Sequence, residues 1–212
     1  MPIRVVMFDI GGILEVIPEG GDPATRFPAL DMEWDGRLGL PPGHFSHCVN
    51  AIAEDGAYGR CSYEEWCARL RQSTGMSQAE CDVYMAAFWD VYMGAPNEEL
   101  IAYFRALRPR YRTAILTNSF IGAREREEAR YGFTSMVDVA VYTHEEGVHK
   151  PHPLIYAIAS ERVGYPPSEI VFLDDRPENI DAARACGYQA ILFTSTSQAI
   201  ADIETLLRGT EA

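Results

Sequence analysis

The stretch Arg4-Val-Val-Met-Phe-Asp9-Ile-Gly-Gly-Ile-Leu14 decides the fold, because a short apolar run ends at a carboxylate that is followed by two glycines. Near-continuous apolar runs of this kind are typical of strands covered on both faces. Four more runs share the pattern: Thr113 to Leu116, Val137 to Tyr142, Glu169 to Leu173 and Gln189 to Phe193. The sequence therefore predicts a five-stranded sheet whose first strand covers residues 4–8.

Helical patterns lie between and after the later strands, at Pro151 to Val163, Pro177 to Cys186 and Ser197 to Leu207. Gly187 and Gly209 stand where the last two patterns stop, as glycine often does beyond a helix. Alternation of strand and helix favours right-handed βαβ units, hence a parallel sheet. The predicted fold class is α/β, with a Rossmann-like parallel five-stranded sheet, helices on both faces and an inserted α-helical cap.

The cap is predicted over residues 18–95, where no buried strand pattern occurs and several helices begin. Ser62 to Glu65 and Ser77 to Glu80 both have the capping-box form, in which a hydroxyl and a carboxylate bond to each other's backbone N–H groups. Gly20 to Pro23 is a candidate linker into the cap. The predicted domains are therefore a core of residues 1–17 and 96–212 and a helical cap of residues 18–95.

Composition limits the partners and the compartment. The 212 residues carry a formal charge of −13, which argues against binding to nucleic acid or to an anionic membrane. No apolar stretch reaches the roughly 18 residues that span a bilayer, and the first residues lack a signal-peptide layout, so we expect a cytoplasmic protein. The five cysteines are scattered and are expected to be reduced. Nothing in the sequence predicts an oligomeric state.

Carboxylates follow three of the predicted strands, of which the third is followed by His144 and Glu145. Asp9 closes the first strand, and Asp174 with Asp175 closes the fourth. Because ligands of parallel sheets bind beyond the carboxyl ends of the strands, we expect these three side chains to meet at one edge. Carboxylates brought together repel one another unless a cation lies between them, and Mg²⁺ prefers such oxygen ligands. The sequence therefore predicts a Mg²⁺ site suited to a phosphorylated ligand.

Two further strand ends carry groups that suit phosphate. Thr117 and Asn118 follow the second strand and offer a hydroxyl and backbone N–H donors at a strand-to-helix turn. Lys150 follows the third strand, and Pro151 next to it is expected to begin a helix. A metal, a lysine, neutral donors and a carboxylate nucleophile are the parts of a phosphoryl-transfer site.

The order and spacing of these motifs resemble the haloacid dehalogenase (HAD) superfamily. The resemblance covers most of the chain and rests on four segments: Val5-Val-Met-Phe-Asp9, Ile115-Leu-Thr117-Asn118, Gly147-Val-His-Lys150-Pro and Val171-Phe-Leu-Asp174-Asp175. It implies a hydrolase core with a helical cap inserted after the first motif.

The resemblance also implies roles for individual residues. Asp9 would attack phosphorus and form an aspartyl-phosphate, while Thr117 and Lys150 would act in catalysis and bind the transferring group, with Asn118 beside them. For the metal, the implied ligands are Asp9, the backbone carbonyl of Gly11, Asp174 bound directly and Asp175 bound directly or through a water.

Gly11 departs from the pattern of the family's phosphatases, which usually carry there a second Asp that protonates the leaving oxygen. Such a general acid contributes about 10²–10⁴ in rate. Glu15 and His149 are the nearest candidates to replace it, although a structural role is the simpler interpretation of each. The charged run Arg124 to Glu128 is interpreted as a solvated helix face.

Three functions therefore stay open. The first is a Mg²⁺-dependent phosphohydrolase of a small phosphorylated metabolite, such as a sugar phosphate, and it is the one we favour. The second is a metal-independent 2-haloacid dehalogenase, against which the Asp174–Asp175 pair argues. The third is a phosphate-binding or regulatory domain with weakened catalysis.

Overall fold

The computed structural model describes residues 2–16 and 23–209, except the side chains of residues 23–26. Within these residues the strands are β1 (Val5–Phe8), β2 (Glu15–Val16), β3 (Ala95–Pro96), β4 (Arg112–Thr117), β5 (Val139–Tyr142), β6 (Ile170–Asp174) and β7 (Gln189–Leu192). The helices are α1 (Pro23–Leu38), α2 (His44–Ala57), α3 (Tyr63–Thr74), α4 (Gln78–Tyr92), α5 (Glu98–Ala106), α6 (Ala123–Tyr131), α7 (Thr143–Glu146), α8 (Pro153–Val163), α9 (Pro177–Ala185) and α10 (Thr196–Arg208).

Five of these strands form a parallel sheet in the order β5-β4-β1-β6-β7, which confirms the predicted fold class. Phe8, at the end of the central strand β1, pairs with Ile115 on one side and with Leu173 on the other. Because the strands are parallel and in this register, β1, β4 and β6 all end at the same edge. Asp9, Thr117 and Asp174 therefore share that edge.

The two faces of the sheet are covered by different helices, as strand alternation requires. Val6 and Phe8 point to the face packed by α5 and α10, where Phe8 stacks on Phe104 at 4.2 Å between ring centroids. Val5 and Met7 point to the other face, which is covered by α8 and α9. All four side chains of β1 are fully buried, which explains why the sequence of this strand is an uninterrupted apolar run.

The predicted boundaries shift by one or two residues at most strands and helices. The clearest correction concerns Pro151, which does not begin a helix. The helix begins at Pro153 instead, because the His152 side chain accepts a hydrogen bond from the Leu154 N–H at 3.2 Å and caps the first turn. Asn97 caps α5 in the same way, through its side chain and Leu100 N–H.

The insert consists of α1 to α4 and lies between β2 and β3. Both predicted capping boxes are present, at Ser62 with Glu65 and at Ser77 with Glu80. Most of the insert's aromatic side chains, Trp34 and Trp66 among them, are buried in one cluster, and Phe120 from the loop after β4 packs edge-on against Trp66 at 5.2 Å. This contact fixes the insert over the loops at the carboxyl edge of the sheet.

The insert is joined to the sheet by a short antiparallel pair, β2 with β3, in which Glu15 pairs with Pro96. This pair was not predicted from the sequence. Residues 20–22 of the expected linker lie outside the described residues. The division into a core domain and a cap domain at residues 17/18 and 95/96 stays a prediction.

No helix in the described ranges is long and apolar enough to cross a membrane. The five cysteines are unpaired thiols, as predicted.

Candidate active site

Three aspartates meet at the carboxyl edge of the sheet. Asp9, Asp174 and Asp175 each offer a carboxylate oxygen, and these oxygens all lie within 4.8 Å of one another. Asp9 and Asp174 are buried, whereas Asp175 is exposed. Asp9 and Asp174 are 165 residues apart in the sequence. The structure brings them together because β1 and β6 are paired neighbours in the sheet.

Lys150 is the only lysine in the sequence, and it lies between two of these carboxylates. Its Nζ is 2.9 Å from Asp9 Oδ2 and 2.6 Å from Asp174 Oδ2, and it donates to the Leu116 carbonyl at 3.0 Å. Asn118 holds the lysine backbone by donating to the Lys150 carbonyl at 3.0 Å and accepting from its N–H at 2.9 Å. The ammonium is therefore fixed in position and completely buried.

Burial and charge shift the pKa values of Asp9 and Lys150 in opposite directions. Burial raises the pKa of Asp9, and the nearby Lys150 ammonium opposes that rise. Burial lowers the pKa of Lys150, but the Asp9 and Asp174 carboxylates outweigh it and leave the pKa raised overall. Lys150 therefore stays charged and holds Asp9 closer to its ionised form than burial alone would allow.

Asp174 and Asp175 differ in what their oxygens contact. Asp174 accepts hydrogen bonds from Lys150 Nζ, from the Arg176 N–H at 2.9 Å and from Asn179 Nδ2 at 2.9 and 3.1 Å. Asp175 instead lines the cavity in front of Asp9. The contacts therefore favour Asp175 as the carboxylate that faces a ligand, and Asp174 as the one that positions Lys150. The resemblance implied that Asp174 binds the metal directly and Asp175 directly or through a water, and these metal-binding roles stay a prediction.

The cavity has a volume of about 600 Å³ and is enclosed by the sheet edge, by the segment after β1 and by parts of the insert. Of the predicted site residues it is lined by Asp9, Gly11, Thr117, Asn118 and Asp175. Thr117 is buried, and its hydroxyl makes a long hydrogen bond of 3.4 Å to the Asn118 carbonyl. The Asn118 side chain is occupied by Lys150, so only the Asn118 backbone is available to a ligand in the cavity.

A family model described as haloacid dehalogenase-like hydrolase matches residues 64–187. The chain belongs to the haloacid dehalogenase-like hydrolases. The matched segment of this HAD-like hydrolase contains Thr117, Lys150 and the Asp174–Asp175 pair, while Asp9 lies before it.

The relatives of this HAD-like hydrolase carry out different reactions by name. Bifunctional epoxide hydrolase 2 of Mus musculus is 24% identical over 217 residues, which cover 96% of this chain but only 39% of the mouse protein. Haloacetate dehalogenase H-2 of Moraxella sp. (strain B) is 30% identical over 95 residues, or 44% of this chain and 42% of that protein. A solved HAD family enzyme from Bacteroides thetaiotaomicron, in complex with magnesium and inorganic phosphate, superposes with a TM-score of 0.70 at 18% identity, covering 91% of this chain and 94% of that one.

Of the two candidates for the missing acid, only Glu15 is at the cavity. Glu15 lies on β2 and lines the cavity wall. Burial raises the pKa of Glu15 to about 7, and the hydrogen bond that it accepts from the Gly94 N–H opposes this rise. His149 lies elsewhere, against the insert. Its Nε2 is 2.7 Å from the Ala57 carbonyl and its ring stacks on Tyr58 at 4.2 Å. The structure therefore gives His149 a role in packing.

Glu127 corrects the interpretation of the charged run at residues 124–128. It is only 2% exposed, it lines the cavity, and it accepts a 2.7 Å hydrogen bond from the Tyr142 hydroxyl. Burial raises the pKa of Glu127 well above its usual value. The rest of the run is at least partly exposed. A charged run on a helix shows no periodicity that marks one member as buried, so the sequence carried no signal for this residue.

Gly12 is required by the close approach of Asp175. It has a φ of +76°, and a Cβ there would lie 2.4 Å from Asp175 Oδ2. We expect Gly12→Ala to displace the Asp175 carboxylate and to lower activity by at least about tenfold, with about 1–3 kcal/mol lost from stability through backbone strain. Steady-state kinetics and urea unfolding measure the two effects.

Gly164→Ala is the matched control for Gly12→Ala. Its φ is +75°, but no atom lies within 4 Å of a Cβ built there. The control should lose comparable stability and keep its activity. Equal activity in the two variants would contradict the role assigned to the contact with Asp175.

Lys150→Met should destabilise the fold by about 3–5 kcal/mol at pH 7, because it leaves the Asp9 and Asp174 carboxylates buried without a cation. Unpaired buried carboxyls bind protons more readily in the folded state than in the unfolded one, so stability should fall as the pH rises above about 4. The deficit relative to the wild type should therefore be larger at pH 7 than at pH 5. Urea unfolding at both values measures it.

Arg69→Met is the control for Lys150→Met, because Arg69 makes a 2.8 Å ion pair with Asp55 in which both side chains are partly exposed. Such a pair contributes about 0–1 kcal/mol. Losses of similar size in the two variants, or a loss in Lys150→Met that does not change with pH, would refute the assignment of a buried charge network.

Proposed function

We propose that this HAD-like hydrolase is a Mg²⁺-dependent phosphohydrolase that acts on a small phosphorylated metabolite through an aspartyl-phosphate. One observation carries the proposal: three carboxylates converge at a cavity where Lys150 is the one cation that bonds to them within the described residues. Such an arrangement is short of positive charge, and a divalent cation supplies it. A dianionic phosphate then becomes a suitable ligand.

The donor set fits Mg²⁺. Carboxylate oxygens are its preferred protein ligands, and the ion commonly takes only one or two of them together with a substrate phosphate. Asp9 and Asp175, which line the cavity, would hold the ion together with the Gly11 carbonyl, and Asp174 offers a third carboxylate oxygen within 4.8 Å of theirs. When bound, Mg²⁺ would neutralise phosphate oxygens and polarise phosphorus.

Asp9 acts as the nucleophile in the proposed reaction. A carboxylate oxygen of Asp9 forms a bond to phosphorus while the bond between phosphorus and the leaving oxygen breaks, and the leaving oxygen takes a proton from a water molecule. Water then attacks phosphorus, the bond to Asp9 breaks, and inorganic phosphate and the carboxylate are released. The Ile10 N–H donates to Asp9 Oδ1 at 2.7 Å and Lys150 holds Oδ2, so the nucleophile is fixed before the substrate arrives.

The other residues bind the transferring group. The Thr117 hydroxyl has only a weak hydrogen bond and lines the cavity, so it is available to a phosphate oxygen. The Lys150 ammonium stabilises negative charge on Asp9 and on the transferring phosphoryl group from a buried position. Parts of the insert, including Tyr92, form the cavity wall opposite the sheet and exclude bulk water.

A haloacid dehalogenase is the second candidate. Gly11 and the similarity to haloacetate dehalogenase H-2 favour it. In that reaction Asp9 would attack a carbon and expel a halide without a metal. The three clustered aspartates argue against it, because a halide leaving group gains nothing from them and their mutual repulsion would be unrelieved.

The test is a panel of phosphate monoesters and 2-haloacids assayed with Mg²⁺ and with EDTA. We expect phosphate release that requires the metal and no halide release. Metal-independent halide release would replace the proposal with the dehalogenase. Failure to turn over any compound, combined with phosphate binding by calorimetry, would favour a regulatory domain with weakened catalysis.

A further inference from the structure

We propose that Glu15 and Glu127 form a subsite for the leaving group, which selects alcohols that donate hydrogen bonds and carry no negative charge. This inference rests on the proposed phosphohydrolase function and names the class of its substrate: phosphate monoesters of polyols and amino alcohols. Both glutamates line the same cavity as Asp9 and Thr117. Neither is among the residues assigned to phosphoryl transfer or to the metal.

Glu15 presents an unsatisfied acceptor. Its side chain is only 3% exposed, and its Oε2 accepts the Gly94 N–H at 3.1 Å. Its Oε1 is buried and has no hydrogen-bond partner in the part of the chain that the structure describes. A buried carboxylate oxygen without a donor costs about 1–3 kcal/mol or more. A ligand hydroxyl or ammonium group in the cavity would supply the donor.

Glu127 is a second buried acceptor in the same cavity. Its Oε2 is held by the Tyr142 hydroxyl, which fixes the orientation of the carboxyl group. The nearby Arg124 forms no ion pair with Glu127, because that guanidinium binds Glu145 at 2.6 and 2.7 Å and the Ala140 carbonyl at 3.0 Å. The glutamate is therefore oriented by a neutral donor rather than by an ion pair.

The surroundings of the two glutamates decide which leaving groups fit. Across residues 2–16 and 23–209, excluding the side chains of 23–26, no lysine or arginine forms an ion pair with either. Arg176 also lines the cavity, but its side chain is 63% exposed and pairs with Glu178 at 2.9 Å. A leaving group with a carboxylate or a second phosphate would meet two buried carboxyl groups and no buried cation to neutralise its charge there. Hydroxyl and ammonium groups would be bound, and anionic groups rejected.

The test compares two substrates that share a three-carbon skeleton and a terminal phosphate. Glycerol 3-phosphate ends in a hydroxymethyl group, and 3-phosphoglycerate ends in a carboxylate. We expect the wild-type enzyme to favour glycerol 3-phosphate in kcat/KM by about 10²-fold or more, because a site with buried acceptors penalises a ligand that leaves them unpaired. Glu15→Gln and Glu127→Gln should each reduce that ratio to about tenfold or less.

The ratio is measured within each variant, so a general loss of activity or of folded protein cancels. Glu161→Gln, which changes an exposed glutamate on α8, should keep the wild-type ratio. Equal turnover of the two esters by the wild type would overturn the subsite and leave the phosphohydrolase intact, as would a ratio that neither glutamine variant changes. If no ester were hydrolysed, the proposed function would fail, and the ratio of the two dissociation constants from calorimetry would still decide the subsite.

Discussion

Asp9→Asn is expected to lower metal-dependent phosphate release by about 10⁴-fold or more, because it removes the oxygen that would bond to phosphorus. The amide has nearly the same size as the carboxylate, and its oxygen can still accept the Ile10 N–H. Lys150 keeps its contact with Asp174 at 2.6 Å. The loss should therefore come from chemistry and not from an unfolded protein.

The measurement is single-turnover phosphate release from the wild type and the variant, with circular dichroism to confirm folding. Acid-quenched wild-type enzyme should retain covalent phosphate when the substrate is radiolabelled, and Asp9→Asn should retain none. Asp181→Asn serves as the control, since Asp181 is exposed on α9 and lies outside the cavity. Activity of Asp9→Asn within tenfold of the wild type would rule out the nucleophile assignment.

The strands and the residues that close them were predictable from the sequence because both depend on local patterns. Val5 to Phe8 are buried on both faces of the sheet, so they must be apolar, and the first polar residue marks the strand end. Asp9 and Asp174 could be placed together for the same reason: parallel strands that end in polar residues bring those residues to one edge. Placing these two aspartates at one edge requires only the general fold.

The different surroundings of Asp174 and Asp175 were not predictable, because they depend on contacts made after the chain has folded. Asn179 reaches Asp174 from the first turn of α9, and the Arg176 N–H adds another donor. These bonds occupy Asp174 and leave Asp175 facing the cavity. Neighbouring identical residues in a sequence give no sign of which one will be enclosed.

The residues of the cavity wall were not predictable from the sequence either. Glu15 enters it through a two-residue strand that pairs with a partner about 80 positions later, and such short, distant pairing has no periodic pattern. Glu127 enters it because α6 turns one side toward Tyr142. The sequence does contain one further signal for the site. Lys150 is the sole lysine, and the 17 other basic residues are all arginine. That contrast singles out a position where a compact, buried ammonium is needed.

Gly11→Asp is expected to raise the hydrolysis of esters with poor leaving groups by about 10²–10⁴-fold, because it supplies a general acid at the position that lacks one. The structure has room for the change. Gly11 lines the cavity, no atom lies within 4 Å of a Cβ built there, and its φ is not in the left-handed region. The new carboxyl group would stand two residues from the nucleophile, next to the leaving oxygen of a bound ester.

Two substrates separate this effect from a general change in the site. Glycerol 3-phosphate has an alkoxide leaving group that needs a proton, whereas p-nitrophenyl phosphate expels a phenolate that hardly needs one. The gain in kcat should therefore be confined to glycerol 3-phosphate. Gly11→Asn, which has nearly the same shape and no acidic proton, should show no gain with either ester. A similar gain in Gly11→Asn would assign the effect to packing, and no gain in Gly11→Asp would mean that another group, with Glu15 the nearest in the cavity wall, already protonates the leaving oxygen.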